Sequence, residues 1–436
     1  VPERPMTFLF MPESAYGPTN NCVGIGEVLL RRGHRVVFAA ESSWAGKLSA
    51  LGFAEDLVDL APPPQGVGGD VPDADPGAFW KEFIRDTAPE FRKPTVDQLQ
   101  TFMAPTWAAL VDGSRYCQPQ LRQIISRTRP DVVALDNVVA FPALLTAGVP
   151  YVRIVSCNPL EVTSPLLPPP YSGLPSDDDS QWASFRAEYD RTHRSLWTQF
   201  NSWCVSQGAP PLPDLEFVHT SEHANLYLFP EVIDYTSTRP LDPTWHRLDS
   251  SVRTTDTTVD LPPLLTQRRD GSALIYLSLG SLGSADVDLM RRLVAVLGRT
   301  RHRFIVSKGP QGQEYDLAPN MWGEQFLPQT TLLPLVDLVI THGGNNTTTE
   351  AFHHGKPMVV LPLFWDQYDN AQRVHETGFG IRLPTYAFTD DELTGAIEQL
   401  LADADLKEAL SAASGVIQAR DGRTKAADVL EQVARQ

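Results

Sequence analysis

The stretch "MTFLFMPESAYGPTNNCVGIGEVLLRRGHRVVFAA", residues 6–40, reads as a strand, a loop, a helix, a tight turn and a second strand. Met6 to Met11 is a short apolar run suited to a strand buried on both faces, and Val23, Ile25, Val28 and Leu29 suit a helix laid on a sheet. Gly33 stops that helix. In open α/β sheets the loops leaving the carboxyl ends of strands line the ligand crevice, so a catalytic group is expected within 12–20. The glycine of that loop, Gly17, is followed by Pro18, a proline suited to the first position of a helix.

The same alternation runs on through the chain. Apolar strand candidates fall at 6–11, 35–40, 131–135 and 151–155, then at 273–279, 303–307, 337–341 and 358–363, with helical stretches between them. This pattern predicts parallel sheets covered by helices, an α/β fold. Between the two sets lies "DSSVRTTDTTVDLPPLLTQRRDGS", residues 249–272, polar and interrupted by prolines, which reads as an interdomain linker. The expected organisation is an N-terminal domain over 1–248, the linker, a C-terminal domain over 273–415 and a terminal helix over 416–436. The first half also carries proline- and aromatic-rich inserts at about 62–127 and 157–230, of the kind that form surface or binding segments. Within them Phe79, Trp80 and Phe83 recur at helical spacing, with Phe102, Met103 and Trp107 further on. Two readings stand for these aromatics, a core-facing helix stripe and an apolar acceptor pocket.

A chain of 436 residues with 42% hydrophobic content is long enough for two domains of roughly 200 residues, each with its own core. The 36 basic against 53 acidic residues leave a net charge of −17, which argues against nucleic acid or anionic lipid as the main partner. Cys22, Cys117, Cys157 and Cys204 are widely separated and form no C-x-x-C pair, so neither a zinc site nor a disulfide framework is indicated. They fit a reduced cytoplasmic compartment best. No run of 18 apolar residues is present, and no membrane segment is expected.

The most informative run of the second half is "VDLVITHGGNNTTTEAFHHGKPMVVLPLFWDQYDNAQRVHETGFG", residues 336–380. A buried strand ends at Thr341, Gly343 and Gly344 follow, and a helix can begin near Asn346. Adjacent glycines let backbone N–H groups approach a ligand, and a helix N-terminus offers unpaired donors with a partial positive charge. His342 and Thr347 can add further hydrogen bonds to a phosphate there. The alternative is a tight turn followed by a capping box, since Thr347 and Glu350 have the T-x-x-E spacing. A second loop, "LPLFWDQYDN", sets Asp366, Gln367 and Asn370 at the end of another apolar strand, where they either converge on the same crevice or serve as a helix cap.

Residues 326–380 resemble the donor-binding signature of the UDP-glycosyltransferase family, and weaker similarity extends over nearly the whole chain, including "RRGHRVVFAA" and "LIYLSLGSLGS". The resemblance implies the GT-B architecture, two facing Rossmann-like domains with a cleft between them. It also implies a UDP-sugar co-substrate, a small apolar acceptor, and no metal or other cofactor. Carried over residue by residue, it puts His342, Gly343, Gly344, Asn346, Thr347 and Ser281 on the diphosphate and Glu350 on the ribose. Asp366 and Gln367 fall on the sugar hydroxyls, Gln367 pointing to glucose. In "QFLPQ" the family pattern is Trp-x-Pro-Gln with the indole under the uracil, so Phe326 supplies a smaller stacking face ahead of Gln329.

The resemblance further implies inverting transfer, in which a histidine in the first loop takes the acceptor's proton and an aspartate at a later strand end orients it. Such a base contributes about 10²- to 10⁴-fold. Asp136, closing "DVVALD", fits the aspartate, although a helix-capping role would also explain a carboxylate there. Aligning Gly17 with the family's glycine puts Pro18 at the histidine, and proline carries no titratable group. Three expectations follow. The acceptor is an amine, an acidic phenol or a carboxylate that needs little help with deprotonation, or its proton goes directly or through water to Asp136; or Glu13 or Tyr16 is the base; or the protein is a sugar-nucleotide-binding auxiliary without turnover. A UDP-sugar epimerase also uses such a cleft, but the aromatic inserts favour an acceptor site. His353 and His354 are adjacent rather than four apart, as a metal-binding helix would need, and are expected on the surface.

Overall fold

Strand β1 (Thr7–Pro12) lies between β2 (Arg35–Phe38) and β4 (Val132–Asp136), all parallel, in a seven-stranded sheet of order β3-β2-β1-β4-β5-β6-β7. The remaining strands are β3 (Ala54–Glu55), β5 (Tyr151–Val155), β6 (Ala224–Tyr227) and β7 (Trp245–Arg247). A second, six-stranded parallel sheet has the order β10-β9-β8-β11-β12-β13. Its strands are β8 (Leu274–Ser278), β9 (Arg303–Ser307), β10 (Met321–Glu324), β11 (Leu338–Thr341), β12 (Met358–Val360) and β13 (Gly380–Arg382). The computed structural model describes residues 4–62, 86–267 and 271–436. The two sheets form two Rossmann-like domains, as the alternating pattern requires.

Each sheet reverses its strand order at one place, between β1 and β4 and between β8 and β11. Such switch points open a crevice beyond the carboxyl ends of the strands. The register sets Pro12 beside Asp136 in the first sheet and Ser278 beside Thr341 in the second. The loop after β1, Asp136 and the His-Gly-Gly turn are thus brought to the mouths of two switch points by topology alone.

Helix α1 (Tyr16–Arg31) buries Cys22, Val23, Ile25, Val28 and Leu29. Each fully buried aliphatic side chain of this set contributes on the order of 1.5–3 kcal/mol. The helix ends where Gly33 takes φ +87°, a value that a side chain disfavours. Pro18 is the third residue of α1, not the first; its missing N–H costs nothing there either, because the first turn has no intrahelical acceptors.

The long helices of the first half are α2 (Ala104–Thr128) and α3 (Trp182–Ser206). Those of the second half are α4 (Val287–Leu297), α5 (Asn345–His353), α6 (Gln367–Glu376), α7 (Asp390–Ala402), α8 (Ala404–Arg420) and α9 (Gly422–Val433). Helix α9 crosses back to the first sheet, where Ala426, Ala427 and Leu430 share a buried cluster with Cys22, Ile25 and Leu29. Arg32 and His34 bind Asp428 and Glu431 at 2.8 and 3.0 Å, so His34 stands at the amino-terminal edge with a structural role.

The strand runs read at 35–40 and 358–363 stop at Phe38 and Val360, and their remaining residues turn into the cleft loops. Short strands β3, β6, β7, β10 and β13 carried no such signal. Among the described residues no helix is long and apolar enough to cross a membrane, and no group of three or more His, Cys, Asp or Glu side chains could hold a metal ion. His353 and His354 are half-buried rather than exposed, His353 meeting Ser250 Oγ at 3.0 Å.

Candidate active site

A cavity of about 680 Å³ separates the two sheets and is lined from both. On the first-domain side the Glu13 N–H donates to Asp136 O at 2.7 Å, which fixes the loop after β1 against the end of β4. The Glu13 carboxylate accepts from Ala15 N–H at 2.9 Å and Ser14 Oγ at 3.0 Å, and burial raises its pKa. Pro18, Glu13 and Asp136 all face the cavity.

Asp136 is buried, and its Oδ2 accepts from Ser156 Oγ at 2.6 Å and faces Cys22 Sγ at 3.7 Å. Asn21 Nδ2 donates to the same Ser156 hydroxyl at 3.0 Å. Burial pushes the Asp136 carboxyl up to about 7, outweighing the Ser156 hydrogen bond that lowers it. The Cys22 thiol is held well above its usual range by burial and by Asp136, so it stays protonated as a donor. A hydroxyl and a thiol therefore hold this carboxylate, and it caps no helix.

On the facing side, β11 delivers His342 and the two glycines. Gly343 takes φ +85°, and a Cβ there would lie 2.8 Å from Val360 and 3.0 Å from Gln367 O. Gly344 is the N-cap of α5, where a Cβ would stand 2.6 Å from the His342 ring. Only glycine fits this turn. Burial pushes His342 down to about 4, outweighing a hydrogen bond to the Ser278 backbone carbonyl, so at neutral pH its ring is uncharged and its single N–H is directed at that carbonyl. Ser281 lines the same wall, in the helical turn Gly280–Gly283 after β8.

The capping box suggested by Thr347 and Glu350 does not form, because Gly344 caps α5 without a side chain. Glu350 instead accepts from Gln329 Nε2 at 2.6 Å, Asn346 Nδ2 at 3.0 Å and Arg253 Nη1 at 3.2 Å. Gln329 also reaches Thr347 Oγ1 at 3.3 Å. Arg253 comes from the linker and is held by Asp256 through two bonds of 2.9 and 2.8 Å.

Asp366 occupies the N-cap position of α6 but makes no cap. Its Oδ2 accepts the Asn158 N–H from the other domain at 2.9 Å and Asn370 Nδ2 at 3.3 Å, and burial pushes it up to about 7. Gln367 Oε1 accepts from Leu363 and Phe364 N–H at 3.1 and 3.2 Å, leaving its amide nitrogen for the cavity. One turn on, Asp369 accepts the backbone N–H groups of Tyr171 and Gly173 at 2.6 and 2.9 Å. Phe364 packs among Phe91 and Phe102 at 4.9 and 5.4 Å between ring centroids.

Phe102, Thr106 and Leu110 form the apolar end of the cavity. Trp107 lies behind that wall rather than on it, stacked on Phe217 at 4.5 Å and against Trp365 at 5.1 Å, because its helical face points to the core. Phe79, Trp80 and Phe83 lie outside the described residues. Phe326 is half-exposed at the other end of the cleft. Sequence reasoning missed Arg253, Glu161 and Asn345, which also line the cavity. Nothing near Arg253 marks it, since a linker arginine gains its partners only through tertiary contact; Asn345 stands beside the expected Asn346 and donates across the cleft to Leu228 O at 2.9 Å.

Residues 195–422, just over half of the chain, match the family model described as "UDP-glucoronosyl and UDP-glucosyl transferase". Over 98% of its length the chain is 24% identical to demethyllactenocin mycarosyltransferase of Streptomyces fradiae, covering 86% of that protein. It is 25% identical to oleandomycin glycosyltransferase of Streptomyces antibioticus, over 96% of this chain and 88% of the relative. Among solved structures, the glycotransferase of kitacinnamycin superposes with a TM-score of 0.69 at 20% identity, covering 99% of this chain and 100% of the other. Spinosyn rhamnosyltransferase SpnG complexed with thymidine diphosphate gives 0.60 at 19% identity, over 95% and 96% of the two chains. With its two facing Rossmann-like domains and the turn of His342 to Gly344 at their cleft, this chain belongs to the UDP-glycosyltransferase family of GT-B glycosyltransferases.

Proposed function

We propose that this glycosyltransferase takes its sugar from a pyrimidine nucleoside diphosphate donor, UDP-glucose first, and passes it to a small, largely apolar acceptor through an amine or an acidic hydroxyl. The observation that carries the reading is a convergence on one cavity. The neutral His342 and the unpaired N–H groups opening α5 lie on one wall, and Asp136 with Pro18 lies on the other. The first set suits a diphosphate leaving group. The second offers a carboxylate near neutrality with a proline, and no imidazole, at position 18.

In the proposed reaction the acceptor nitrogen or oxygen forms a bond to the anomeric carbon as the bond from that carbon to the β-phosphate oxygen breaks, with inversion. The electron pair leaves with the nucleoside diphosphate, whose growing charge is met by the N–H groups of the helix N-terminus. The acceptor's proton passes to Asp136, directly or through a water. Gln367 and Asp366 would bind the sugar hydroxyls, Asp366 exchanging its Asn158 contact for one to the sugar. Phe326 and Gln329 on the cavity wall, with Glu350 behind Gln329, would hold the nucleoside. The relative complexed with thymidine diphosphate makes dTDP-sugars the second donor to try. A second proton acceptor has support of its own, because Glu13 faces the same cavity beside Asp136.

Transfer from UDP-glucose and dTDP-glucose to matched aniline, phenol and aliphatic alcohol acceptors, followed by mass spectrometry, tests the reading. The aniline and phenol products are expected to dominate. A clear preference for the alcohol sinks the acceptor assignment, and sugar-nucleotide binding with no nucleotide release across a broad acceptor panel marks an auxiliary protein instead.

A further inference from the structure

Phe326, on the loop after β10, and Tyr16, the first residue of α1, belong to different domains yet face each other across the cleft. Their ring centroids are 6.4 Å apart with planes tilted by 38°. A planar base flanked on both faces needs about 7 Å between the flanking rings, two aromatic stacking distances. The gap is short of that by about half an ångström, a shift that a small opening of the cleft supplies. Both residues line the cavity that holds the His342 turn.

Tyr16 is braced for such a role. Trp44 meets its ring edge-on at 5.2 Å and is itself buried, with its Nε1–H donating to Ser14 O at 3.0 Å. The Lys47 ammonium sits 5.9 Å over the same ring and 5.7 Å over Trp44. The next residue, Gly17, packs the first turn of α1 against α5, where a Cβ would make an ordinary contact of 3.4 Å with Asn346 Cβ. Tyr16 is therefore fixed where the first domain meets the start of the donor-binding helix.

We infer that Tyr16 is the second wall of the nucleobase site, so that the pyrimidine of the donor lies between a ring from each domain; the inference rests on the sugar-nucleotide reading above. A phenyl at 326 offers less stacking area than an indole, and a second ring from the other domain restores it.

The test is calorimetric titration of UDP and dTDP into the full chain, free of acceptor, for the wild type, Tyr16→Ala and Tyr16→Phe. Wild-type protein that binds neither nucleotide overturns the donor assignment itself. Given wild-type binding, Tyr16→Ala is expected to raise the dissociation constant roughly tenfold and Tyr16→Phe to restore it to within about twofold, as base–aromatic stacking requires. Unchanged affinity in Tyr16→Ala overturns the inference, and so does a Tyr16→Phe variant as weak as Tyr16→Ala, which would assign the effect to the hydroxyl. Should Tyr16→Ala not fold, Tyr16→Leu keeps apolar bulk against Trp44, removes the flat face and is read in the same way.

Discussion

Asp136 concentrates the chemistry of this site in one side chain. Its partners are a hydroxyl and a thiol, and burial raises it to about 7, within the range where a general base works best at neutral pH. Asp136→Asn is expected to lower kcat by about 10²-fold or more while leaving calorimetric UDP affinity unchanged, because in the proposed reaction the residue faces the acceptor and not the nucleotide. The wild-type rate on an amine acceptor should rise with pH through about 7 as the carboxyl ionises, and that rise should vanish in Asp136→Asn. Stability moves the other way. Asp136, Asp366 and Asp369 are all raised to about 7 by burial, against about 3.9 in an unfolded chain, so the folded state binds more protons between those values. Their contribution is complete below pH 4 and is lost as pH rises through 7; thermal unfolding at pH 5 and pH 8 should show it, with a shallower dependence in Asp136→Asn.

At the level of elements, two turns set what the cleft can do. The junction of β11 and α5 requires glycine, since Gly343 has φ +85° and a Cβ there would crowd Val360 at 2.8 Å. Gly343→Ala should cost at least about 1 kcal/mol of stability through backbone strain alone. It should also abolish nucleotide binding by displacing the start of α5. The junction of β1 and α1 is permissive by contrast. Pro18 sits within the first helical turn, where neither its fixed φ nor its missing N–H conflicts with the helix. Pro18→His should lose no more than about 1 kcal/mol, chiefly through the added freedom of the unfolded chain. A tenfold or greater gain on aliphatic alcohol acceptors would show that the rest of a hydroxyl-activating site is in place, and no gain would show that Asp136 cannot orient an imidazole at 18.

At the level of the molecule, the two domains are joined through buried polar groups as well as through the linker. Asp369 holds two backbone N–H groups of the other domain, Asn158 bonds Asp366 and Asn370, and Arg373 donates to Ile233 O and Asp234 O at 2.6 and 2.7 Å. Removing one partner of such a set leaves buried donors unsatisfied, at about 1–3 kcal/mol. Asp369→Ala should therefore favour an open cleft, giving a larger radius of gyration by small-angle X-ray scattering and about tenfold lower kcat/KM for the acceptor. An unchanged scattering profile would show that the bonds of Asn158 and Arg373, with the linker and α9, hold the domains together without Asp369.

Local chemistry was enough to announce the parallel sheets, the two-domain division of strands and the His342–Gly344 turn, because buried strands, glycine turns and helix starts depend on residues adjacent in the chain. The buried strand end also marked Asp136, whereas Pro18 stood out only through the resemblance to the glycosyltransferase family. Folding assigned their partners. The sequence is silent on Asp136 meeting Ser156 and Cys22, on Glu350 being taken by Arg253 from the linker, and on Tyr16 facing Phe326, since each pair joins segments far apart in the chain. It also left Trp107 open between core and pocket, a choice that depends on which helical face the neighbouring domain covers. Spacing along the chain specifies which groups are present at a strand end; only the closing of two sheets on each other fixes which groups those ends confront.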